Sequence, residues 1–169
     1  MKIHLLPRQS QARKSSKGKI LLIGGVGSSK STVFGDFLVK YRKESIHNEV
    51  AIAANTHKQL RDSTLKAITE RLAMYGFFED EHWEYQEQKG FFNFLGMKCY
   101  LRTIDNIDKA IAGLTLHKWL IDEFAFCGRP NQPAIYVYRK LLQRLRGPAA
   151  VKAILGLSSD CYPELRLYD

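Results

Sequence analysis

Short apolar runs alternate along the chain with stretches whose apolar residues recur at helical spacing. KILLIG (residues 19–24) is a run of Ile and Leu ending in glycines, the pattern of a strand buried on both faces. From Thr32 to Lys43, the residues Val33, Phe34, Phe37, Leu38 and Tyr41 share one side of a helix. EVAIAAN (residues 49–55) predicts a second buried strand. Thr56 is suited to cap the helix after it, in which Leu60, Leu65, Ile68, Leu72 and Tyr75 line one face and which Gly76 ends. Residues 77–90 are acidic and aromatic and predict a loop or a short helix. FFNFLGMKCYLRTI (residues 91–104) reads as two β runs about Leu95-Gly96, a hairpin. HKWLIDE (residues 117–123) is a third buried strand with carboxylates at its end. Residues 132–146 predict a helix stopped by Gly147-Pro148, and VKAILGLSS (residues 151–159) a fourth core strand. The first 18 residues predict a basic, extended lead-in with a short helix near residues 9–15.

Strands alternating with helices predict an α/β fold: a mostly parallel sheet flanked by helices, with a β-hairpin insertion, in one domain over residues 1–169. Ligands of such sheets bind at the carboxyl ends of the strands, so the chemistry is expected there.

The first predicted strand runs into GGVGSSKS (Gly24, Gly25, Val26, Gly27, Ser28, Ser29, Lys30, Ser31), followed by Thr32 and the first long helix. A strand, a glycine-rich loop and a helix in that order form a phosphate cradle: backbone N–H groups turn inward and the helix N-terminus adds partial positive charge. Lys30 is the residue to reach the β- and γ-phosphates, and the Ser31 hydroxyl the one to bind Mg²⁺. Ser29 stands where the pattern G-x-x-x-x-G-K-S/T has its second glycine. The loop is expected to close around this small residue with its φ kept negative.

Asp122 and Glu123 end the third predicted strand. Asp122 is suited to hold the metal that bridges the terminal phosphates, and Glu123 to polarise a water for attack. The adjacent acid favours hydrolysis over transfer. RLRG (Arg144 to Gly147) offers two arginines for transition-state charge, or a basic helix end; Arg129 is a third candidate. Ser158 and Ser159, at the tip of the last strand, are placed either to sense the γ-phosphate or to form a simple turn.

Composition adds one strong constraint. The formal charge is +9 with a pI near 9.5. Residues 1–19 and 124–159 each carry Lys and Arg but no acid. This favours a polyanionic partner, with contacts to phosphates and without base reading. Cys99, Cys127 and Cys161 lack C-x-x-C spacing, so zinc is not expected and buried thiols are. No apolar run is long enough for a membrane span, and no secretory signal is evident.

Together these segments resemble the ATPase domain of the large subunit of tailed-phage terminases. LPRQSQ resembles that family's glutamine motif, with Gln9 on adenine; GGVGSSKS resembles its Walker A, and IAGLTLHKWLIDEFAF its Walker B. The resemblance implies an additional-strand P-loop ATPase using ATP and Mg²⁺. It further implies a homo-oligomeric ring driving double-stranded DNA into a procapsid, portal and small-subunit partners, and a host-cytoplasmic location. The family's coupling motif ends in Asn-Pro, whereas Ser159 here precedes Asp160 and Cys161. The family's nuclease domain is not expected within these residues. Two other readings use the same residues: a helicase-like DNA-dependent ATPase, and an inactive remnant that binds DNA or a partner.

Overall fold

The computed structural model describes residues 5–25, 28–105, 107–124, 134–146 and 153–158, with the backbone alone at 134, 153 and 158. The elements in chain order are α1 (Pro7–Lys14), β1 (Lys19–Ile23), α2 (Val33–Glu44), β2 (Val50–Ala54) and α3 (His57–Gln59). A π-turn (Leu60–Leu65) joins α3 to α4 (Lys66–Met74). Then come β3 (Trp83–Gln86), a 3₁₀ turn (Glu87–Lys89), β4 (Phe91–Phe94), β5 (Met97–Thr103), α5 (Ile107–Ile111), β6 (Lys118–Ile121), α6 (Ala134–Gln143) and β7 (Ala153–Ser158).

The strands form a 7-stranded sheet in the order β1-β7-β6-β2-β5-β4-β3. The run from β1 to β5 is parallel, and β4 and β3 continue it antiparallel. This is the expected mostly parallel sheet, with one strand, β7, between the strand that feeds the glycine loop and the strand that ends in carboxylates.

Alternation along the strands divides the core in two. Val50, Ile52 and Ala54 of β2, Leu120 of β6, and Leu155 and Leu157 of β7 face one way, against α2 and α4. Ala51, Ala53, Trp119, Ile121 and Ile154 face the other, against α5 and α6. The alanines of β2 leave room on that side, where Trp119 is wholly buried and its indole N–H donates to the Leu141 carbonyl at 3.2 Å.

Three expectations needed correction. Residues 83–86, expected in a loop or short helix, form β3, so the hairpin is the end of a three-strand meander. The N-terminal helix begins earlier, at Pro7, whose missing N–H is harmless in a first turn. The first strand, expected to be buried on both faces, is the edge strand β1, whose Leu21 and Ile23 are exposed because only β7 flanks it; the short helix α5 was not anticipated. The expected hairpin turn is a two-residue one in which Leu95 (φ 49°) and Gly96 (φ 82°) are both left-handed, the type that matches strand twist. Cys99 is buried, as expected; Cys127 and Cys161 lie outside the described residues.

One polar cluster fixes the helices that matter for the site. Asp36, fully buried in the first turn of α2, accepts from Nε and Nη2 of Arg71 on α4, each at 3.2 Å, and from the Tyr75 hydroxyl. Burial, then the bond to Asp36, pushes the Tyr75 hydroxyl up to about 12. Gly35 lets the two helices close: a Cβ there would lie 2.8 Å from Arg71 Cβ and Cγ. Asp36→Ala is expected to cost about 3–5 kcal/mol in urea unfolding, because it leaves the Arg71 guanidinium buried without its counter-charge. Asp36→Ala with Arg71→Met should recover part of that loss.

Candidate functional site

The glycine loop leaves the carboxyl end of β1 and returns into α2 through a turn in which Val33 N–H donates to the Lys30 carbonyl at 3.0 Å. Gly24 packs close to the loop's own side chains: a Cβ there would stand 2.9 Å from Ser28 Oγ, which would have to rotate away. Val26 and Gly27 lie outside the described residues.

Ser29 departs from expectation. Its φ is +55°, in the left-handed region where glycine is at ease. The loop keeps the backbone shape of the glycine pattern and imposes it on serine. Two donors hold the Ser29 carbonyl there: Thr32 Oγ1 at 2.6 Å and Gln9 Nε2 at 2.8 Å. Gln9 is buried, and its Oε1 accepts from Leu6 N–H at 3.2 Å, so α1 is tied to the loop by this one amide.

Lys30 folds back over the loop. Its ammonium donates to the carbonyls of Gly24 (2.6 Å) and Gly25 (2.8 Å) and to Ser28 Oγ (3.3 Å). These acceptors hold the charge at the loop's mouth, and an anion entering the cradle would exchange for them.

The carboxylates sit opposite. Asp122 is 2 % exposed, and its backbone N–H still pairs with the Ala53 carbonyl of β2 at 2.8 Å. Ser31 Oγ lies 3.3 Å from each of its carboxylate oxygens. Thr64 Oγ1 donates to Oδ2 at 2.7 Å and Glu123 N–H to Oδ1 at 3.1 Å. Burial holds the Asp122 carboxyl above the ordinary carboxylate range, and the Glu123 charge acts the same way. The hydroxyl and backbone donors oppose both.

Glu123 is half-buried with φ +49°, and Asn55 Nδ2 donates to its carbonyl at 3.3 Å. Asn55 follows β2 next to the end of β6, and its own N–H is held by Gln59 Oε1 at 3.2 Å. Thr56 caps α3 through Gln59 N–H at 3.1 Å, as its position predicts.

The hard oxygens of Ser31 and Asp122 suit a magnesium ion that keeps most of its shell as water and phosphate. Among the described residues no cluster of three or more His, Cys, Asp or Glu could hold a metal alone. A phosphate-borne magnesium needs only one or two protein oxygens, so this donor set fits it.

The arginines are elsewhere. Arg144 and Arg146 follow α6 in a short bridge to Leu116: Leu116 N–H donates to the Arg144 carbonyl at 3.0 Å and Arg146 N–H to the Leu116 carbonyl at 2.7 Å. Leu116 precedes β6, whereas Asp122 follows it, so the arginines sit at the opposite end of that strand. At ~3.3 Å per residue the separation is about 20 Å. The helix end expected there is this bridge, with Arg144 half-buried and Arg146 exposed. Arg129 and Ser159 lie outside the described residues, and of Ser158 the backbone alone is described, paired with Ile23 of β1.

Thr64 and Asn55 were not anticipated. The apolar stripe steps by five residues from Leu60 to Leu65, one π-turn, and that wide step was the available sign that the helix turns unusually beside Thr64.

No protein-family model matches the chain, and no curated protein matches it in sequence. Solved structures do match in fold. The large terminase of a thermophilic bacteriophage superposes with a TM-score of 0.69 at 16% identity, covering 91% of this chain and 38% of that one. The same terminase in complex with ATP-gamma-S gives 0.66 at 16% identity, over 90% and 37% of the two chains. The N-terminal domain of the DNA packaging ATPase from bacteriophage phi29 gives 0.68 at 11% identity, over 97% and 84%. This chain thus has the fold of phage terminase ATPase domains and spans under two fifths of the thermophilic phage terminase.

Ser29 offers a direct test of the loop's geometry. Ser29→Gly is expected to raise stability by about 0.5–1 kcal/mol, because it removes left-handed strain at some entropic cost. Ser29→Val should lower it by about 1–3 kcal/mol. Thermal unfolding of the two variants against the parent measures both.

Proposed function

We propose that this chain is the ATP-hydrolysing part of a motor that moves double-stranded DNA into a viral procapsid. The observation that carries the reading is the meeting of Ser31 with Asp122 at 3.3 Å, beside Lys30 and Glu123, on the fold that packaging ATPases share.

ATP binds with its phosphates in the glycine loop. Lys30 leaves its carbonyl acceptors to neutralise the terminal phosphates, and Ser31 and Asp122 hold Mg²⁺. The metal supplies positive charge that offsets the charge on the phosphate oxygens. Glu123 takes a proton from the attacking water as the bond to ADP breaks. Gln9 tethers the loop, and adenine contact at Gln9 requires a second use of its amide. DNA is held by its phosphates, through basic side chains such as the exposed Lys14, Lys17 and Lys19. The working form is a ring of copies, with a portal and a small subunit as partners, in the cytoplasm of an infected host. Among the described residues, no helix is long and apolar enough to cross a membrane.

Lys30→Ala should abolish binding of a fluorescent ATP analogue. Glu123→Gln should keep it but reduce turnover by about 10²-fold or more. The parent's ATPase rate should rise on addition of long duplex DNA; a DNA-indifferent rate would remove the motor reading.

The distance of Arg144 and Arg146 from the carboxylates of their own chain supports a role for them in a neighbouring subunit's site. An arginine supplied in trans is worth ~10³–10⁵ in rate. Mixing a Glu123→Gln chain with an Arg144→Ala/Arg146→Ala chain, each inactive alone, should restore hydrolysis in mixed assemblies. A dead mixture with proven co-assembly removes these residues from the reaction.

A further inference from the structure

Thr64 is fully buried, yet it carries a hydroxyl in a stretch whose neighbours Leu60, Leu65 and Ile68 are core residues. Valine would fill the same volume. Among the described residues the hydroxyl has one partner, Asp122 Oδ2 at 2.7 Å, shorter than either contact of that carboxylate with Ser31. Glu123 N–H takes Oδ1 at 3.1 Å. Each oxygen therefore has one fixed donor, and a carboxylate oxygen accepts about two bonds. The remaining acceptor capacity of both is directed at Ser31, equidistant at 3.3 Å.

The π-turn Leu60–Leu65 is what delivers this hydroxyl. A regular α-helical turn advances about 100° per residue, and a π-turn less, so the wider turn changes which side chain meets the end of β6. Such turns frequently mark functional sites. Here it keeps Leu60 and Leu65 in the core while Thr64 reaches the carboxylate.

We propose that Thr64 is a positioning residue for the metal–nucleotide complex: its hydroxyl fixes the Asp122 carboxylate so that its open side faces Ser31. This rests on the reading of the site as an ATP·Mg²⁺ site. Thr64 touches neither nucleotide nor metal and acts through Asp122. Without the hydroxyl the carboxylate can rotate, and its fit to the metal weakens while the glycine loop is untouched.

The test uses the full chain and the variants Thr64→Val and Thr64→Ser. Binding of a non-hydrolysable fluorescent ATP analogue is measured in EDTA, and again as MgCl₂ is titrated in. Thr64→Val should raise the Mg²⁺ concentration at half-effect about tenfold, the scale of one bond to a charged acceptor, and leave binding in EDTA unchanged. Thr64→Ser should stay within about twofold of the parent, because it keeps the donor. If Thr64→Val does not fold, Thr64→Ala must show the same metal-specific loss. A Val or Ala variant with the parent's Mg²⁺ dependence overturns the proposal, as does an equal loss with and without metal. A parent that binds the analogue with no Mg²⁺ dependence overturns the reading of the site, and Thr64's role with it.

Discussion

The site rests on the contact of Ser31 with Asp122, made between two strands that have a third between them. β7 separates β1 from β6, so the start of the glycine loop and the carboxylates are two strand spacings apart, about 10 Å. With β7 between them, the loop arches over its carboxyl end, and Ser31 descends to meet Asp122 on the far side. The unusual features of the loop serve that arch: Gly24 packed against Ser28, the left-handed Ser29, and the donors from Gln9 and Thr32 that hold the Ser29 carbonyl.

The arch needs a firm base, and the buried charge cluster supplies it. α2 begins just after Ser31, and α4 just after the π-turn that carries Thr64. Asp36, Arg71 and Tyr75 bind those helices to each other, with Gly35 allowing close approach. The hydroxyls on either side of Asp122 therefore ride on helices locked together by a buried ion pair. Such a pair adds little net stability over a well-packed apolar one, but it admits few alternative alignments. In a site built on contacts of 2.7–3.3 Å, alignment is what the chemistry requires.

The far end of the sheet has a different character. Leu116 pairs with the segment carrying Arg144 and Arg146, and the buried Lys118 reaches Glu44 at 3.0 Å. The cations there stand at the end of β6 opposite the carboxylates.

The amino-acid pattern determined a good deal. The Ile-Leu run before the glycines, VAIAA and the apolar KWLI specify strands through local propensity, and all three are strands; VAIAA and KWLI are buried throughout, whereas the Ile-Leu run lies at the sheet edge with Leu21 and Ile23 exposed. The cradle was legible because its residues are contiguous: strand, glycines, Lys30, Ser31 and helix lie within one stretch of chain. Asp122 and Glu123 were legible because a strand this apolar ends in acid only for a reason. Tertiary structure decided what depends on neighbours distant in sequence. Trp83–Gln86 is a strand because β4 offers it an edge, which four residues of mixed character do not reveal. Ser29 is left-handed because Gln9 and Thr32 hold its carbonyl, a force absent from any local rule for serine. Arg144 and Arg146 lie about 20 Å from the carboxylates because the chain returns to the amino end of β6, and spacing along a sequence carries no such direction. Thr64 reads as one more residue in a helical stretch until the fold sets its hydroxyl 2.7 Å from Asp122.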